Sequence, residues 1–279
     1  MRSAIPTPTQ SQIDIGPFTF HFYALCIIAG IAIAIWLGDR RLRNYGKSAD
    51  LDLTGVVSEV AVIAVPAGVI GGRLYHVITS PEPYFGSGGS PLAILKIWNG
   101  GLGIWGAIAL GVLGALVSYR RIAKERTLPS FRVFLDALAP GILLAQAIGR
   151  FGNWFNAELF GRPLDSWWAL EIPYKFRPKG YGLFETFHPT FLYEAIWTTL
   201  LAALLIKFGS KWRDGSTFFI YIAGYSAVRF FIEAVRIDSA HDLFGLRVNQ
   251  WTSIFIFILG MVLFYRNQGK KKVSSSPEI

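Results

Sequence analysis

Three stretches of this chain contain no Asp, Glu, Lys or Arg over 24, 23 and 18 residues: positions 15–38, 97–119 and 248–265. About 20 apolar residues coiled as a helix cross the ~30 Å hydrocarbon layer of a bilayer, and few soluble domains go so long without a charge. Four further segments, 54–78, 133–152, 189–206 and 217–235, are also long and apolar, but each carries ionisable residues. The pattern predicts an all-α polytopic membrane protein with seven transmembrane helices. Composition agrees, since charged residues make up 16% of the 279 against about 25% in soluble chains, and mean hydropathy is +0.41. The single cysteine, Cys26, falls inside the first span. That excludes a secreted disulfide scaffold and reads as a small buried apolar side chain.

Seven spans put the termini on opposite sides. The loops of one side hold 16 Lys and Arg, among them Arg40, Arg41, Arg120, Arg121 and Lys207, whereas the other side holds 8 over much longer segments. By the positive-inside rule the N-terminus is outside and the C-terminus cytoplasmic. The net charge of +9 is then explained by topology and needs no nucleic-acid partner. Positions 1–266 form one membrane domain, and 267–279 a basic cytoplasmic tail at the inner leaflet. The first span is too long for a signal-peptide core of about 7–15 residues, and its positive charge follows it instead of preceding it, so it is a retained helix. One outer connection, about 153–188, is long and carries Trp167, Trp168, Tyr174, Tyr181 and Phe184. It predicts an ordered extracytoplasmic head between the fourth and fifth spans.

Ionisable groups within spans are costly and by default mark function. Glu59 and Asp136 sit near cytoplasmic helix starts and read as structural charges. The rest converge on the outer leaflet: Arg73, Arg150 and Arg229 in the outer halves of the second, fourth and sixth spans, with His21, Tyr23 and Glu194 just inside the outer boundary of the first and fifth. Tyr225, Arg229, Glu233 and Arg236 recur at spacings of 4, 4 and 3, one helical stripe. Three guanidinium groups at one depth predict an anion, and in an outer leaflet the abundant anion is a lipid phosphate. Glycines 68, 71, 72, 100, 101, 103 and 106 predict close helix packing. The densest polar run is G-R-F-G-N-W-F-N-A-E-L-F-G, from Gly149 to Gly161, with Arg150 and Asn153 on one face if the helix continues past Gly152.

At these residues the chain resembles the bacterial prolipoprotein diacylglyceryl transferase family. The run Gly149 to Gly161 is similar to the family signature G-R-x-G-N-x-x-N-x-E-x-x-G. The likeness extends to H-x-Y at His21 and Tyr23, G-G-R ending at Arg73, W-x-G-G-L from Trp98, H-P-T-x-L-Y-E from His188 to Glu194, and the stripe from Tyr225 to Arg236. The resemblance implies transfer of the sn-1,2-diacylglyceryl group of phosphatidylglycerol to the lipobox cysteine thiol of a prolipoprotein signal peptide. The products are a thioether and glycerol phosphate, made without a cofactor or metal, at a site facing the outer leaflet of the cytoplasmic membrane. One position departs: many members carry a histidine where this chain has Trp105, in G-G-L-G-I-W-G-A. A mechanism resting on that histidine as base does not carry over.

The chemistry predicts Arg150 and Arg229 as the catalytic cations with Arg73 in support, and Glu158 or Glu194 as the favoured base, with His188 and Tyr23 at plausible depth. Asn153, Gly161, Tyr225, His21, Glu233 and Arg236 complete the substrate-binding set. The rival from another class is a transporter or flippase for a small anion or a lipid. It would require polar groups reachable from both sides, whereas here they crowd one half. A membrane peptidase finds no G-x-S-G-like segment and no H-E-x-x-H.

Overall fold

A computed structural model describes residues 4–16, 18–238 and 242–269; the tail expected at 267–279 lies outside the described residues from 270 onward. Eight helices follow one another: α1 (Phe22–Ser48), α2 (Val56–Thr79), the short α3 (Glu82–Phe85), α4 (Ile104–Ile122), α5 (Phe131–Phe155), α6 (Thr190–Phe208), α7 (Ser216–Val235) and α8 (Val248–Gln268). Three two-stranded antiparallel ribbons join them: β1 (Gln12–Ile15) with β2 (Phe18–His21), β3 (Leu170–Glu171) with β4 (Thr186–Phe187), and β5 (Asp242–Leu243) with β6 (Leu246–Arg247). Apart from α3, every helix has 19 residues or more. Six are long and apolar enough to cross a membrane, which makes this a polytopic membrane protein. The remaining long helix, α4, carries Arg120 and Arg121 in its last turn.

Two predicted spans begin later than charge counting placed them. The run 15–38 opens as a hairpin in which Gln12 pairs with His21 around Gly16 at φ +60°, so His21 ends a strand and stands exposed instead of lying in a helix. Residues 97–103 are a tight turn and loop, with Gly100 and Gly101 at φ +81° and +75°, a backbone that glycine adopts without steric cost. The helix begins only at Ile104.

Contacts divide the chain into two compact units, Asp39–Phe134 and the remainder. In the first, α2 and α4 approach through glycine. A methyl group on Gly71 would run into the Gly106 carbonyl oxygen and come within 2.7 Å of Leu110 Cβ, and Gly103 N–H donates to the Gly72 carbonyl at 2.8 Å. Between helices in lipid, where no hydrophobic force drives association, such backbone proximity supplies the packing energy. Glu59 here pairs with Arg126 at 3.0 Å, a structural charge as expected.

In the other unit, α1 meets α5 where a methyl on Gly141 would stand 2.9 Å from the Ala34 carbonyl oxygen. Asp136 accepts the Gly215 and Phe218 N–H groups and so caps the start of α7. The long connection after α5 is folded. Leu170 pairs with Phe187 on one side and lies beside Ile5 on the other, with Ile5 N–H donating to Ala169 O at 2.8 Å. Beneath them Ala157, Phe160, Leu170, Ile172, Phe187 and Phe191 form a buried cluster. The helices themselves present large apolar side chains outward, for example Val62, Ile78, Leu200 and Phe255, as a lipid-facing surface requires.

Candidate active site

The stripe read on α7 meets α6 and the end of α5 in one charged row. Glu194, 1% exposed, is the first carboxylate. Its Oε1 forms an ion pair with Arg150 Nη2 at 3.0 Å and accepts from Tyr225 OH at 2.9 Å, and its Oε2 accepts from Arg229 Nη1 at 3.0 Å. Arg229 reaches on to Glu233 at 2.9 Å, Glu233 to Arg236 at 3.4 Å, and Arg236 to Asp238 at 2.6 Å. Buried charges persist when each has opposite neighbours and filled hydrogen-bond positions, and this alternation supplies both. Arg229 and Arg236 each bind two carboxylates, whereas Arg150 binds one, so Arg150 is the end of the row with donors to spare.

Arg150 and Asn153 do share a face, because α5 runs to Phe155. Arg150 Nη1 donates to Asn153 Oδ1 at 3.2 Å, and Asn153 Nδ2 donates to Glu158 Oε1 at 2.8 Å. Glu158 stands exposed and also accepts from Asn156 at 3.4 Å. A small cleft, its enclosed space about that of one water molecule, is lined by Arg150, Asn153, Glu194, Arg229 and Arg236 with Phe191 and Ile232 as apolar walls.

Around this cavity other expected residues shape the backbone. A methyl on Gly161 would stand 2.6 Å from Val235 Cγ1 and 2.8 Å from His188 Cβ, and one on Gly152 would enter the Tyr23 ring. His188 Nδ1 is 3.1 Å from Tyr193 OH, which also accepts from Trp168 Nε1 at 3.1 Å. Partial burial and the Arg162 charge together hold the His188 imidazole below its ordinary pKa. The exposed His21 and the cavity residues belong to different local structures, since His21 closes the β1–β2 hairpin.

Arg73 lies in the Asp39–Phe134 unit, and its donors are spent there. Nε donates to Ile94 O at 2.8 Å, Nη1 to Gly100 O at 2.7 Å and Gly101 O at 2.9 Å, and Nη2 to the carbonyls of Ala93 and Lys96, while the guanidinium sits 5.1 Å over the Tyr84 ring. It fastens the segment 93–101. Sequence reasoning passed over Arg247 and Asn249, which reach Glu233 from the start of α8 at 3.2 and 3.1 Å. The one available signal was two polar residues at the mouth of an otherwise charge-free helix.

These features define a class: an integral membrane protein with a buried arginine–carboxylate row opening on a small cleft. A model of the family described as prolipoprotein diacylglyceryl transferase matches residues 10–266. Among curated relatives, phosphatidylglycerol–prolipoprotein diacylglyceryl transferase 2 of Streptomyces coelicolor is 49% identical over 257 residues, covering 91% of this chain and 78% of that enzyme. The transferases of Bifidobacterium adolescentis and Corynebacterium efficiens are 44% and 46% identical, over 93% and 95% of this chain and 79% and 83% of their own lengths. The chain belongs to the prolipoprotein diacylglyceryl transferase family. It is an enzyme, and the transporter reading falls away.

Proposed function

We infer that the chain transfers the diacylglyceryl group of phosphatidylglycerol to a prolipoprotein. The acceptor is the thiol of the lipobox cysteine in the signal peptide, the bond formed is a thioether, and the other product is glycerol phosphate. The enzyme works in the bacterial cytoplasmic membrane with seven spans, α4 among them, its N-terminus outside. The segment 153–188 is then an extracytoplasmic head, and the cavity faces the outer leaflet. The observation that carries the reading is the pair Arg150 and Arg229, held on opposite oxygens of the buried Glu194 and lining one cavity.

The thiol sulfur attacks the glycerol carbon next to the phosphate, the carbon–oxygen bond breaks, and its electron pair leaves on the phosphate oxygen. A phosphodiester with one negative charge becomes a monoester with a second. Fixed guanidinium groups in a water-poor site stabilise that developing charge most as the bond breaks, which lowers the barrier and not merely the substrate's energy. Arg150, with donors to spare, and Arg229 take this role. Glu194 acts through them as a positioning residue, since both its oxygens are occupied. A thiol ionises near about 8.5 when unperturbed, so its proton needs an acceptor or a cationic field. Glu158, exposed and accepting from the amides of Asn153 and Asn156, is our choice of acceptor. Asn153 links it to Arg150, coupling proton removal to phosphate binding.

Tyr225 steadies Glu194 by its hydroxyl, Gly161 lets His188 and Val235 close on the chain, Tyr23 packs on Gly152, and His21 closes the β1–β2 hairpin. Arg73 serves by holding the segment 93–101. Purified protein given phosphatidylglycerol and a synthetic lipobox peptide is expected to add a diacylglyceryl mass to the cysteine, and Arg150→Ala to abolish it. Undiminished transfer by Arg150→Ala would overturn the assignment.

A further inference from the structure

We infer that Arg247 and Asn249 are positioning residues for lipid binding: they fix the carboxylate of Glu233, which in turn aims Arg229 and Arg236 at the cavity. The inference rests on the reading of that cavity as the lipid-phosphate site.

Glu233 is 1% exposed and its two oxygens face opposite ways. Oε1 accepts from Asn249 Nδ2 at 3.1 Å and forms an ion pair with Arg247 Nη1 at 3.2 Å, while Oε2 accepts from Arg229 Nη2 at 2.9 Å and Arg236 Nη1 at 3.4 Å. A carboxylate offers about four lone-pair positions. An amide donor and a guanidinium charge on Oε1, with two donors on Oε2, hold the group from turning, and Oε2 stays committed to the two arginines that line the cavity. Arg247 is itself held. It begins α8, its N–H donates to Gln250 Oε1 at 3.1 Å, and its guanidinium also donates to the carbonyls of Glu233 at 3.2 Å and of Asp238. The last turn of a helix leaves carbonyls without intrahelical partners, so Arg247 ties the end of α7 to the start of α8 while setting the Glu233 side chain.

Charge adds to geometry. Arg150, Arg229, Arg236 and Arg247 stand against Glu194, Glu233 and Asp238 in the shared cluster, a surplus of one positive charge. Neutralising Arg247 removes that positive surplus beside the phosphate site and frees Glu233 to draw Arg229 and Arg236 away from it.

The test measures initial rates against phosphatidylglycerol and, separately, against lipobox peptide, with thermal unfolding of each sample. Arg247→Gln is expected to raise the KM for lipid about tenfold, the scale of one lost charge-assisted hydrogen bond. The KM for peptide should stay within about twofold, because a positioning fault at the phosphate is a lipid-side fault. Arg247→Lys, which keeps the charge, restores most of the lipid KM. Asn249→Ala, at an exposed residue that the fold tolerates, raises it about threefold on its own but adds nothing in a Glu233→Gln background, the signature of action through that carboxylate. Lipid KM equal to wild type in both Arg247→Gln and Asn249→Ala, or lipid and peptide KM rising together with a lowered melting temperature, would overturn the inference. A wild-type protein without turnover would instead overturn the transferase reading beneath it.

Discussion

Replacing Glu194 by glutamine removes one negative charge from between two guanidinium groups while keeping the side chain's shape. The carboxylate is 2% exposed as a side chain and binds Arg150 and Arg229 at 3.0 Å each. At a charge separation near 4 Å and an effective dielectric of about 20, each pair is worth about 4 kcal/mol before desolvation is subtracted. Removing one partner of a buried pair costs about 3–5 kcal/mol in measured cases. The amide oxygen of Gln still accepts one of the two hydrogen bonds from Tyr225 and Arg229, so the expected loss of stability is near the lower end, about 3 kcal/mol. The kinetic outcome separates positioning from binding. The freed arginines are more available to an anion, so KM for phosphatidylglycerol stays level or falls. They are also less well aimed, and a misplacement of about 1 Å costs about a hundredfold in kcat. Detergent-solubilised protein, assayed by mass spectrometry of the peptide over a range of lipid concentrations and melted in parallel, reads all three quantities. A tenfold rise in KM with kcat intact would refute the reasoning. So would recovery of kcat from about pH 7 to 9, as the thiol ionises unaided, since that would make Glu194 the proton acceptor.

Two further outcomes follow from local chemistry. The His188 imidazole is held below its ordinary pKa in the folded protein, so on acidification the unfolded chain takes up that proton first; the stability the neutral ring contributes is full above about pH 6.5 and lost as pH falls through the lower folded value. The melting-temperature advantage of wild type over His188→Asn should therefore shrink between about pH 7 and 5, and an advantage constant across that range would be the contrary result. Gly71→Ala drives a methyl into the Gly106 carbonyl and Leu110, and overpacking of this kind costs about 1–3 kcal/mol. Gly149→Ala, which meets no atom within 4 Å, is the control whose melting temperature should hold, and equal behaviour of the two would refute the close approach of α2 and α4.

The part of the site that sequence revealed is the part whose geometry is helical and local. Tyr225, Arg229, Glu233 and Arg236 share a face because a helix turns every 3.6 residues, and α7 displays that stripe. Arg150 and Asn153 follow the same rule on α5. Counting charge-free residues failed at 15–21 and 97–103, because length and apolarity measure a segment's solvent and not its backbone. The turn at Gly16 with the strand that follows it, and a loop with Gly100 and Gly101 at positive φ, are as free of charge as a helix.

What sequence alone determined is the solvent, the helices and the family, since hydropathy, periodicity and contiguous motifs are properties of neighbouring residues. Tertiary structure decided the partners. Arg73 and Arg229 are both arginines within apolar helices, yet one is spent on the carbonyls of residues 93–101 and the other on two buried carboxylates. Arg247 and Asn249, from the start of α8, close on Glu233 of α7. Which donor meets which acceptor depends on how separate helices approach and in what register, and no spacing along one chain encodes that distance.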